Sequence, residues 1–305
     1  MAEDRFVVKK VLSSDGKHML NGRVYYPEGT PKGLLHVVHG MTEYIARYDR
    51  FMTRMCDEGY VVFGYDHLGH GWTAENEDEL GFIAHKDGWK RLAEDVGVFA
   101  NEIKKDYPDL PYYMMGHSMG SFIVRIAAKD VIVPDKLIVM GTSGPNPAAG
   151  PGLFLTKVIK LFRGEKHRSL FLCLIAFGSY NKKFKEEKDI RSWLTKDPES
   201  RDKYRNDKYC TYIFTTSAFS DLMNLIRNCN SGKWFKDFPE KVPVMLVSGG
   251  DDPVGNYGKG VTKVYDKLKK AGKDAKMKLY PNNRHEILND TAYDEVTADI
   301  IEFLK

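Results

Sequence analysis

A glycine-flanked serine motif, Gly-His-Ser-Met-Gly at residues 116–120, joins an apolar run at 111–115 to a helix-like run at 121–129. Where a strand turns sharply into a helix at such a motif, the serine hydroxyl is lifted clear of the backbone. Side chains at the two glycine positions would collide with neighbouring backbone. The motif predicts Ser118 as a nucleophile and places the amide of Met119 at the helix start, facing a developing oxyanion.

The order of residues along the chain restricts the partners of this serine. An acyl-transfer triad on this kind of sheet runs serine, then acid, then histidine. Of the nine histidines, only His167 and His285 follow Ser118. His167 lies between Lys166 and Arg168, in a segment typical of solvated surface, whereas His285 follows a strand-like run and a turn near the chain end. We predict that His285 is the general base.

The acid is expected on the loop after an earlier strand. An apolar run at 242–248 is followed by two aspartates, Asp251 and Asp252. Asp252 is favoured because Pro253 biases the residue before it towards an extended backbone and fixes the loop. The alternative is that one of the two aspartates only caps the helix that begins near Tyr257.

A second oxyanion amide normally comes from the loop after the third strand. The β-branched apolar run at 34–38 ends in His39-Gly40-Met41. Gly40 lets the chain turn sharply, so the amide of Met41 is expected to face the site together with that of Met119. The alternative is an ordinary turn between a strand and a helix.

Apolar strand-like runs alternate with helical segments along most of the chain. The runs lie at 33–38, 61–65, 111–115, 136–140, 242–248 and 276–280, after an N-terminal hairpin at 5–26. This alternation predicts an α/β fold, with a mainly parallel central sheet and helices on both faces. About a hundred residues separate the fourth and fifth runs, far more than a normal crossover needs. We expect a core at 1–143 and 232–305 and an inserted helical cap at 144–231, called the insert below.

Five sequence signatures occur together and in a fixed order. They are His39-Gly40 with Glu43 and Arg47-Tyr48, Asp-His-Leu-Gly-His-Gly at 66–71, the serine motif at 116–120, Asp252-Pro253-Val254, and His285-Glu286. In these features the chain resembles the monoacylglycerol lipase and lysophospholipase group of α/β-hydrolases, also called serine aminopeptidase-like hydrolases. The chain departs from the family pattern at Tyr44, where a histidine is usual, and at Ser121, where a glycine is frequent.

The resemblance implies an α/β-hydrolase fold and a Ser118, Asp252 and His285 triad, with Met41 and Met119 supplying the oxyanion amides. It also implies hydrolysis of a small amphipathic ester, a monoacylglycerol or a lysophospholipid, without a cofactor. Because the family also includes peptidases and various esterases, a short-chain carboxylesterase and an aminopeptidase-like hydrolase remain alternatives. A non-catalytic binding protein on the same fold is a further alternative, although such proteins normally lose a member of the triad.

The net positive charge of the chain lies in the insert. It contains sixteen Lys and Arg against nine Asp and Glu, a net of +7, while the whole chain nets +4. Apolar residues alternate with Lys157, Lys160 and Arg163 in a roughly helical pattern over 153–163. Such a helix would attract an anionic membrane surface. The alternative is a helix whose apolar face packs on the core while its lysines contact solvent. No nucleic-acid-binding module accompanies this charge, so no nucleic-acid partner is expected.

Other chemistries lack their signatures. The four cysteines show no C-x-x-C spacing, so neither a zinc site nor a disulfide framework is expected. A metal site at Asp66, His67 and His70 is conceivable, but the adjacent glycines favour a hydrogen-bonded turn behind the serine. The chain has no run of eighteen apolar residues, and its start is polar without a signal sequence. A cytoplasmic location is the simplest expectation.

Overall fold

The fold is built on one eight-stranded sheet. The computed structural model describes residues 5–305; residues 1–4, the start of the predicted core segment, lie outside the described residues. The strands are β1 (Val7–Leu12), β2 (Met19–Tyr25), β3 (Gly33–Val38), β4 (Tyr60–Tyr65), β5 (Tyr112–His117), β6 (Lys136–Met140), β7 (Val244–Gly249) and β8 (Ala275–Tyr280). Their spatial order is β1-β2-β4-β3-β5-β6-β7-β8. β1 pairs antiparallel with β2 and β2 with β4, while the remaining neighbours are parallel. The predicted hairpin and mainly parallel sheet are both confirmed.

Helices connect the parallel strands. The α-helices are α1 (Asp49–Asp57), α2 (Gly88–Lys104), α3 (Met119–Asp130), α4 (Ala149–Arg163), α5 (Leu170–Phe177), α6 (Pro198–Asn206), α7 (Thr216–Cys229), α8 (Gly232–Asp237), α9 (Lys259–Lys270) and α10 (Tyr293–Leu304). Short 3₁₀ helices lie at Ile45–Tyr48, Glu77–Glu79, Tyr180–Glu187 and Ile287–Asn289. Within residues 5–305, no helix combines the length and apolar character needed to cross a membrane.

Both faces of the sheet are buried, as a parallel sheet requires. Along β3, Leu34 and Val38 contribute to one hydrophobic cluster, and Leu35 and Val37 contribute to the other. The first cluster includes residues of α2, α3, α7 and α9, and the second includes residues of α1 and α10. The strand pattern therefore alternates between two helical layers, and the predicted α/β class is correct.

The insert lies between β6 and β7 and contains α4 to α7. Its last helix, α7, contacts α2, α3 and α4, so this part of the insert is joined to the packing of the core. On α4, Ala149, Leu153 and Thr156 are buried at helical spacing, whereas Phe154 and Leu161 are exposed. One side of α4 therefore packs inward and another apolar side faces solvent. The boundaries at 144 and 231 stay a prediction.

Candidate active site

Met41, Ser118 and Met119 follow the carboxyl ends of β3 and β5, two neighbouring parallel strands, whereas Asp252 follows β7 and His285 follows β8. From β3 the chain goes to β4 on one side of the sheet and later returns to β5 on the other side. At such a switch point the two connections leave in opposite directions, so a crevice opens between the strand ends. Ser118 follows β5 and the turn at 39–42 follows β3, which brings both to this crevice.

Ser118 has a strained backbone, with φ 54° and ψ −121°. A left-handed φ at a residue other than glycine costs about 1–3 kcal/mol and persists only where the surroundings hold it. Here the Ser118 amide donates to Met140 O at 3.0 Å. The flanking positions leave no space for side chains: a Cβ on Gly116 would lie 2.3 Å from Gly120 O, and one on Gly120 would lie 2.1 Å from Val38 O. Half-buried Ser118 therefore stands on a tight turn between β5 and α3.

The three residues predicted as a triad lie within hydrogen-bond distance in series. His285 Nε2 lies 2.8 Å from Ser118 Oγ, and His285 Nδ1 lies 3.0 Å from Asp252 Oδ2. His285 and Asp252 are buried at 2% and 0% exposure, respectively, so the series is shielded from water on the acid side. The other downstream histidine, His167, lies in the insert, where its carbonyl accepts hydrogen bonds from the Thr216 amide and hydroxyl.

The two candidate aspartates have different partners. Asp252 accepts hydrogen bonds from Ser248 Oγ at 3.1 Å and from the Val254 amide at 2.8 Å, in addition to facing His285. Burial alone would raise its pKa, but attraction to His285 and the hydrogen bond from the Val254 amide outweigh burial, so the pKa of Asp252 lies below its ordinary value. Asp251 instead pairs with Lys183 of the insert. Neither aspartate is the N-cap of the next helix, because α9 is preceded by Gly258.

The turn after β3 passes directly beside the serine. A Cβ on Gly40 would lie 2.9 Å from Ser118 Cβ and 2.5 Å from Glu43 Oε1, so only glycine fits there. Met41 is the next residue of this turn, and Met119 begins α3 immediately after Ser118. The two amides predicted to form an oxyanion site therefore belong to two segments next to Ser118, the turn after β3 and the start of α3.

A buried carboxylate that no sequence argument assigned supports this arrangement. Glu43 Oε1 accepts from the Gly40 amide at 2.5 Å and from Tyr48 OH at 2.8 Å, and it lies 3.3 Å from His117 Nδ1. His117 Nε2 in turn lies 3.2 Å from His285 O. Glu43 and His117 thus connect the turn beside Ser118 to the loop that carries His285.

The charges of this pair stabilise each other. Burial would raise the pKa of Glu43, but the adjacent His117 and Arg47 hold it well below its ordinary value. Burial would lower the pKa of His117, but Glu43 and Glu286 raise it. Arg47 also forms a two-point ion pair with Glu286, with nitrogen–oxygen distances of 2.8 and 2.7 Å. The sequence signatures include Glu43, Arg47 and Glu286, but they do not indicate that Arg47 pairs with both glutamates.

The segment at 66–71 is a hydrogen-bonded turn, as expected. His39 Nε2 accepts from the His67 amide at 3.0 Å, so His39 Nδ1 carries the proton and donates to Gly40 O at 2.8 Å. Burial lowers the pKa of His39 to about 4, so the ring is neutral at pH 7. Asp66 accepts from the Ile45 and Trp72 amides at 2.8 Å each. Through His39, the segment at 66–71 therefore holds the turn at 39–42 in place.

A different group of residues has the composition of a metal site. Ligand atoms of His18, Glu75 and Glu79 lie within 4.8 Å of one another. His18 Nδ1 is engaged by Asp15 at 2.5 Å, and Glu79 Oε2 accepts the Glu75 amide at 2.9 Å. None of these groups belongs to the Ser118 site, and no step of its chemistry involves them.

The insert contacts the loop that carries His285. The Glu286 amide donates to Leu194 O at 2.7 Å, and the His285 amide donates to Trp193 O at 3.4 Å. The Trp193 ring lies 5.3 Å from the His285 ring, centroid to centroid. This contact could not be found from the sequence, since residues about ninety positions apart are brought together by backbone groups that every residue has.

The chain is similar to known proteins over most of its length. Residues 29–292 match the family described as "Serine aminopeptidase, S33". A monoglyceride lipase of Rattus norvegicus is 33% identical over 120 residues, which cover 39% of this chain and 37% of that lipase. The chain thus matches little more than a third of the length of this relative. A monoacylglycerol lipase of Mycolicibacterium smegmatis is 24% identical over 290 residues, covering 92% of each chain.

Among solved structures, a thermostable carboxyl esterase from Bacillus coagulans superimposes with a TM-score of 0.92 at 31% identity, covering 98% of this chain and 97% of that one. Its likeness extends over the sheet, both helical layers and the insert. The family match covers most of the sequence, from before β3 to the residue before α10. The chain therefore belongs to the serine aminopeptidase (S33) family and has the α/β-hydrolase fold.

Proposed function

We propose that this protein is a serine carboxylester hydrolase that acts on monoacyl lipids, monoacylglycerols or lysophospholipids. The observation that carries the proposal is the series of short distances from Ser118 Oγ through His285 to the Asp252 carboxylate. A serine hydroxyl is a weak nucleophile at neutral pH unless an adjacent base accepts its proton. Such a base requires a carboxylate at its other ring nitrogen. Asp252 lies there, is buried and has a pKa below its ordinary value.

The mechanism follows from these positions. Ser118 Oγ attacks the ester carbonyl while His285 Nε2 takes its proton, and Asp252 keeps Nδ1–H oriented and stabilises the imidazolium. The amides of Met41 and Met119 bind the oxyanion. His285 then donates the proton to the leaving alcohol, and water hydrolyses the acyl-enzyme by the same steps in reverse. Each step uses only groups of this chain, the ester and water.

Two kinds of relative support an ester of a monoacyl lipid as the substrate. The M. smegmatis relative, aligned over 92% of this chain, is named a monoacylglycerol lipase, and the B. coagulans esterase was solved in complex with glycerol. The name carboxyl esterase equally supports the alternative, a short-chain carboxylesterase. The two differ in acyl preference, because each buried CH₂ contributes about 0.8 kcal/mol, roughly fourfold in kcat/KM, until the pocket is full.

The test is a hydrolysis panel on purified protein with Ser118→Ala alongside. The panel contains monoacylglycerols, lysophospholipids, p-nitrophenyl esters of increasing chain length and aminoacyl arylamides. We expect monoacyl lipids to be hydrolysed fastest and Ser118→Ala to lower kcat by about 10⁶. Activity that falls beyond butyrate would favour the short-chain esterase, and cleavage of arylamides would favour a peptidase. Retention of more than about a hundredth of the activity by Ser118→Ala would refute the nucleophile.

The insert supports transient contact with an anionic membrane surface as part of this function. Seven large apolar side chains of α4 and α5 are between 58% and 80% exposed: Phe154, Leu161, Phe162, Leu170, Phe171, Leu174 and Ile175. Exposed Lys157, Arg163 and Lys166 lie among them in the sequence. Scattered exposed apolar residues are ordinary, but seven of them on two consecutive helices, with basic residues between them in the sequence, are typical of an interfacial surface.

Vesicle sedimentation tests this contact. We expect binding to vesicles of mixed phosphatidylglycerol and phosphatidylcholine, weakened by salt, and at least tenfold weaker binding for Leu161→Ser with Phe162→Ser. Val133→Ser is the matched control, because Val133 is 56% exposed but follows α3, outside the insert. Equal binding of all three proteins would contradict a role for α4. The cytoplasmic location expected from the sequence is kept as part of the proposal, and cell fractionation tests it.

A further inference from the structure

The insert contacts the turn beside Ser118 through a tyrosine of α6. Tyr204 OH donates to Thr42 O at 3.0 Å, and the same hydroxyl oxygen lies 2.8 Å from Thr42 Oγ1. Because the single phenolic proton goes to the carbonyl, the Thr42 hydroxyl is the donor of the second bond. One side chain of the insert therefore binds both the backbone and the side chain of Thr42.

A second contact lies close by. Tyr44 OH donates to Asp207 Oδ2 at 2.6 Å, and Asp207 directly follows the end of α6. Tyr44 is one of the two positions at which the chain departs from the family pattern named above. Residues 204–207 of the insert thus hold residues 42–44 at two points.

The turn needs such support because its backbone is strained. Thr42 has φ 49°, in the left-handed region that β-branched residues rarely adopt. Strain of this kind persists only when surrounding contacts hold the residue in place. On the core side, the Gly40 amide is held by Glu43 Oε1 at 2.5 Å. Met41 lies between Gly40, which the core holds, and Thr42, which the insert holds.

We propose that Tyr204 is a positioning residue, which fixes the amide of Met41 beside Ser118 by holding Thr42 from the insert. The inference rests on the proposed function, since it assigns Tyr204 to the oxyanion site of that reaction. The oxyanion site is then complete only while residues 204–207 of the insert lie against residues 42–44. Tyr204 acts through Thr42 and Met41, not by contact with the reacting atoms.

The test is Tyr204→Phe, which removes both bonds to Thr42 and keeps the ring. The ring also contacts the Arg47 guanidinium, whose Cζ lies 4.8 Å from the ring centroid, so the packing of α6 is retained. Loss of an oxyanion donor lowers kcat by about 10²–10³. A displaced donor still stabilises the oxyanion in part. We therefore expect kcat to fall roughly tenfold to a hundredfold, with KM changed less than about twofold.

Binding of a long-chain alkyl boronic acid gives a second readout. The tetrahedral boronate on Ser118 presents an oxygen where the oxyanion forms, so its Kd should rise by the same factor as kcat/KM falls. Tyr212→Phe is the matched control, since its buried hydroxyl has no partner among residues 5–305, and its kcat and Kd should equal those of the wild type. Thr42→Val, which breaks one of the two bonds from the side of the turn, should show a smaller loss.

Distinct results separate this inference from the proposed function. Unchanged kcat and boronate Kd in Tyr204→Phe, with an active wild type and an inactive Ser118→Ala, would overturn the positioning role alone. A rise in KM at constant kcat would also overturn it, because Tyr204 would then bind the substrate itself. A wild type with neither hydrolysis nor boronate binding would overturn the proposed function, and this inference with it.

Discussion

Gly120 provides a test of how tightly the turn at Ser118 is packed. Gly120 lies in the first turn of α3, and a Cβ there would lie 2.1 Å from Val38 O and 2.5 Å from His39 O. Real Cβ atoms essentially never approach closer than 3.0 Å, so Gly120→Ala must move α3 away from the end of β3 by about 0.9 Å. Overpacking of this kind destabilises the folded protein by about 1–3 kcal/mol. Alanine also lowers the conformational entropy of the unfolded chain, which stabilises the folded protein by about 0.4–1 kcal/mol. We expect a net loss of roughly 1–2 kcal/mol in the free energy of unfolding.

The reactivity of Ser118 should fall much further than stability. Ser118 immediately precedes α3, so the same displacement changes the 2.8 Å distance from its Oγ to His285 Nε2. A misplacement of about 1 Å lowers the rate of an oriented reaction by about a hundredfold. The assay measures urea unfolding together with the rate of fluorophosphonate labelling of Ser118. A variant that is as stable as the wild type and labels at the wild-type rate would refute the packing argument.

Gly232→Ala is the matched control for this substitution. Gly232 is the first residue of α8, and no heavy atom lies within 4 Å of a Cβ built there. Alanine should stabilise the protein by about 0.4–1 kcal/mol, because it lowers the conformational entropy of the unfolded chain. The rate of Ser118 labelling should stay unchanged. If both alanine variants behaved alike, the effect at Gly120 would reflect helix propensity, not space.

Two further predictions follow from the buried titratable groups. Asp252→Asn should lower kcat by about 10⁴, because the His285 ring would no longer be held in the productive tautomer. Asp251→Asn is the control and should change kcat less than threefold. Equal losses of kcat in the two variants would contradict the assignment of Asp252. Burial lowers the pKa of His36 to about 3 and that of His39 to about 4. Since these rings bind protons more readily when unfolded, stability should be full above about pH 6.5 and fall as the pH drops towards 4, by an order of 3 kcal/mol for each ring. Urea unfolding across this range measures the slope, and a flat profile would show that the rings are not held neutral.

The sequence was most informative where one local pattern determines one local structure. The strands at 33–38 and 136–140 have the predicted bounds, and the hairpin lies where it was expected. The turn at Ser118 was located correctly, but β5 extends to His117 and α3 begins at Met119. The predicted strand ends at 115, yet Gly116 and His117 still pair with Val139 and Met140 of β6. Sheet pairing therefore continued two residues beyond the apolar run.

Pairing between distant side chains was not predictable. Glu43 and Glu286 are separated by more than two hundred residues, and both bind Arg47. A single sequence shows that charged residues are present, but burial decides which of them must be neutralised by which partner. The same holds for Asp251 and Asp252, whose neighbours Lys183 and His285 come from different parts of the fold.

Under the proposed function, the position of the insert links substrate choice to reactivity. Its residues 193–194 bind the backbone of the loop that carries His285, while Tyr204 binds the turn that carries Met41. Both contacts come from the insert, which under the proposed function shapes the acyl pocket. A change in the insert that widens the pocket for a longer acyl chain would therefore also move the base or the oxyanion turn. Variants of the insert selected for a new acyl preference should then show coupled changes in kcat and KM, and changes confined to KM would show that pocket and reaction site are independent.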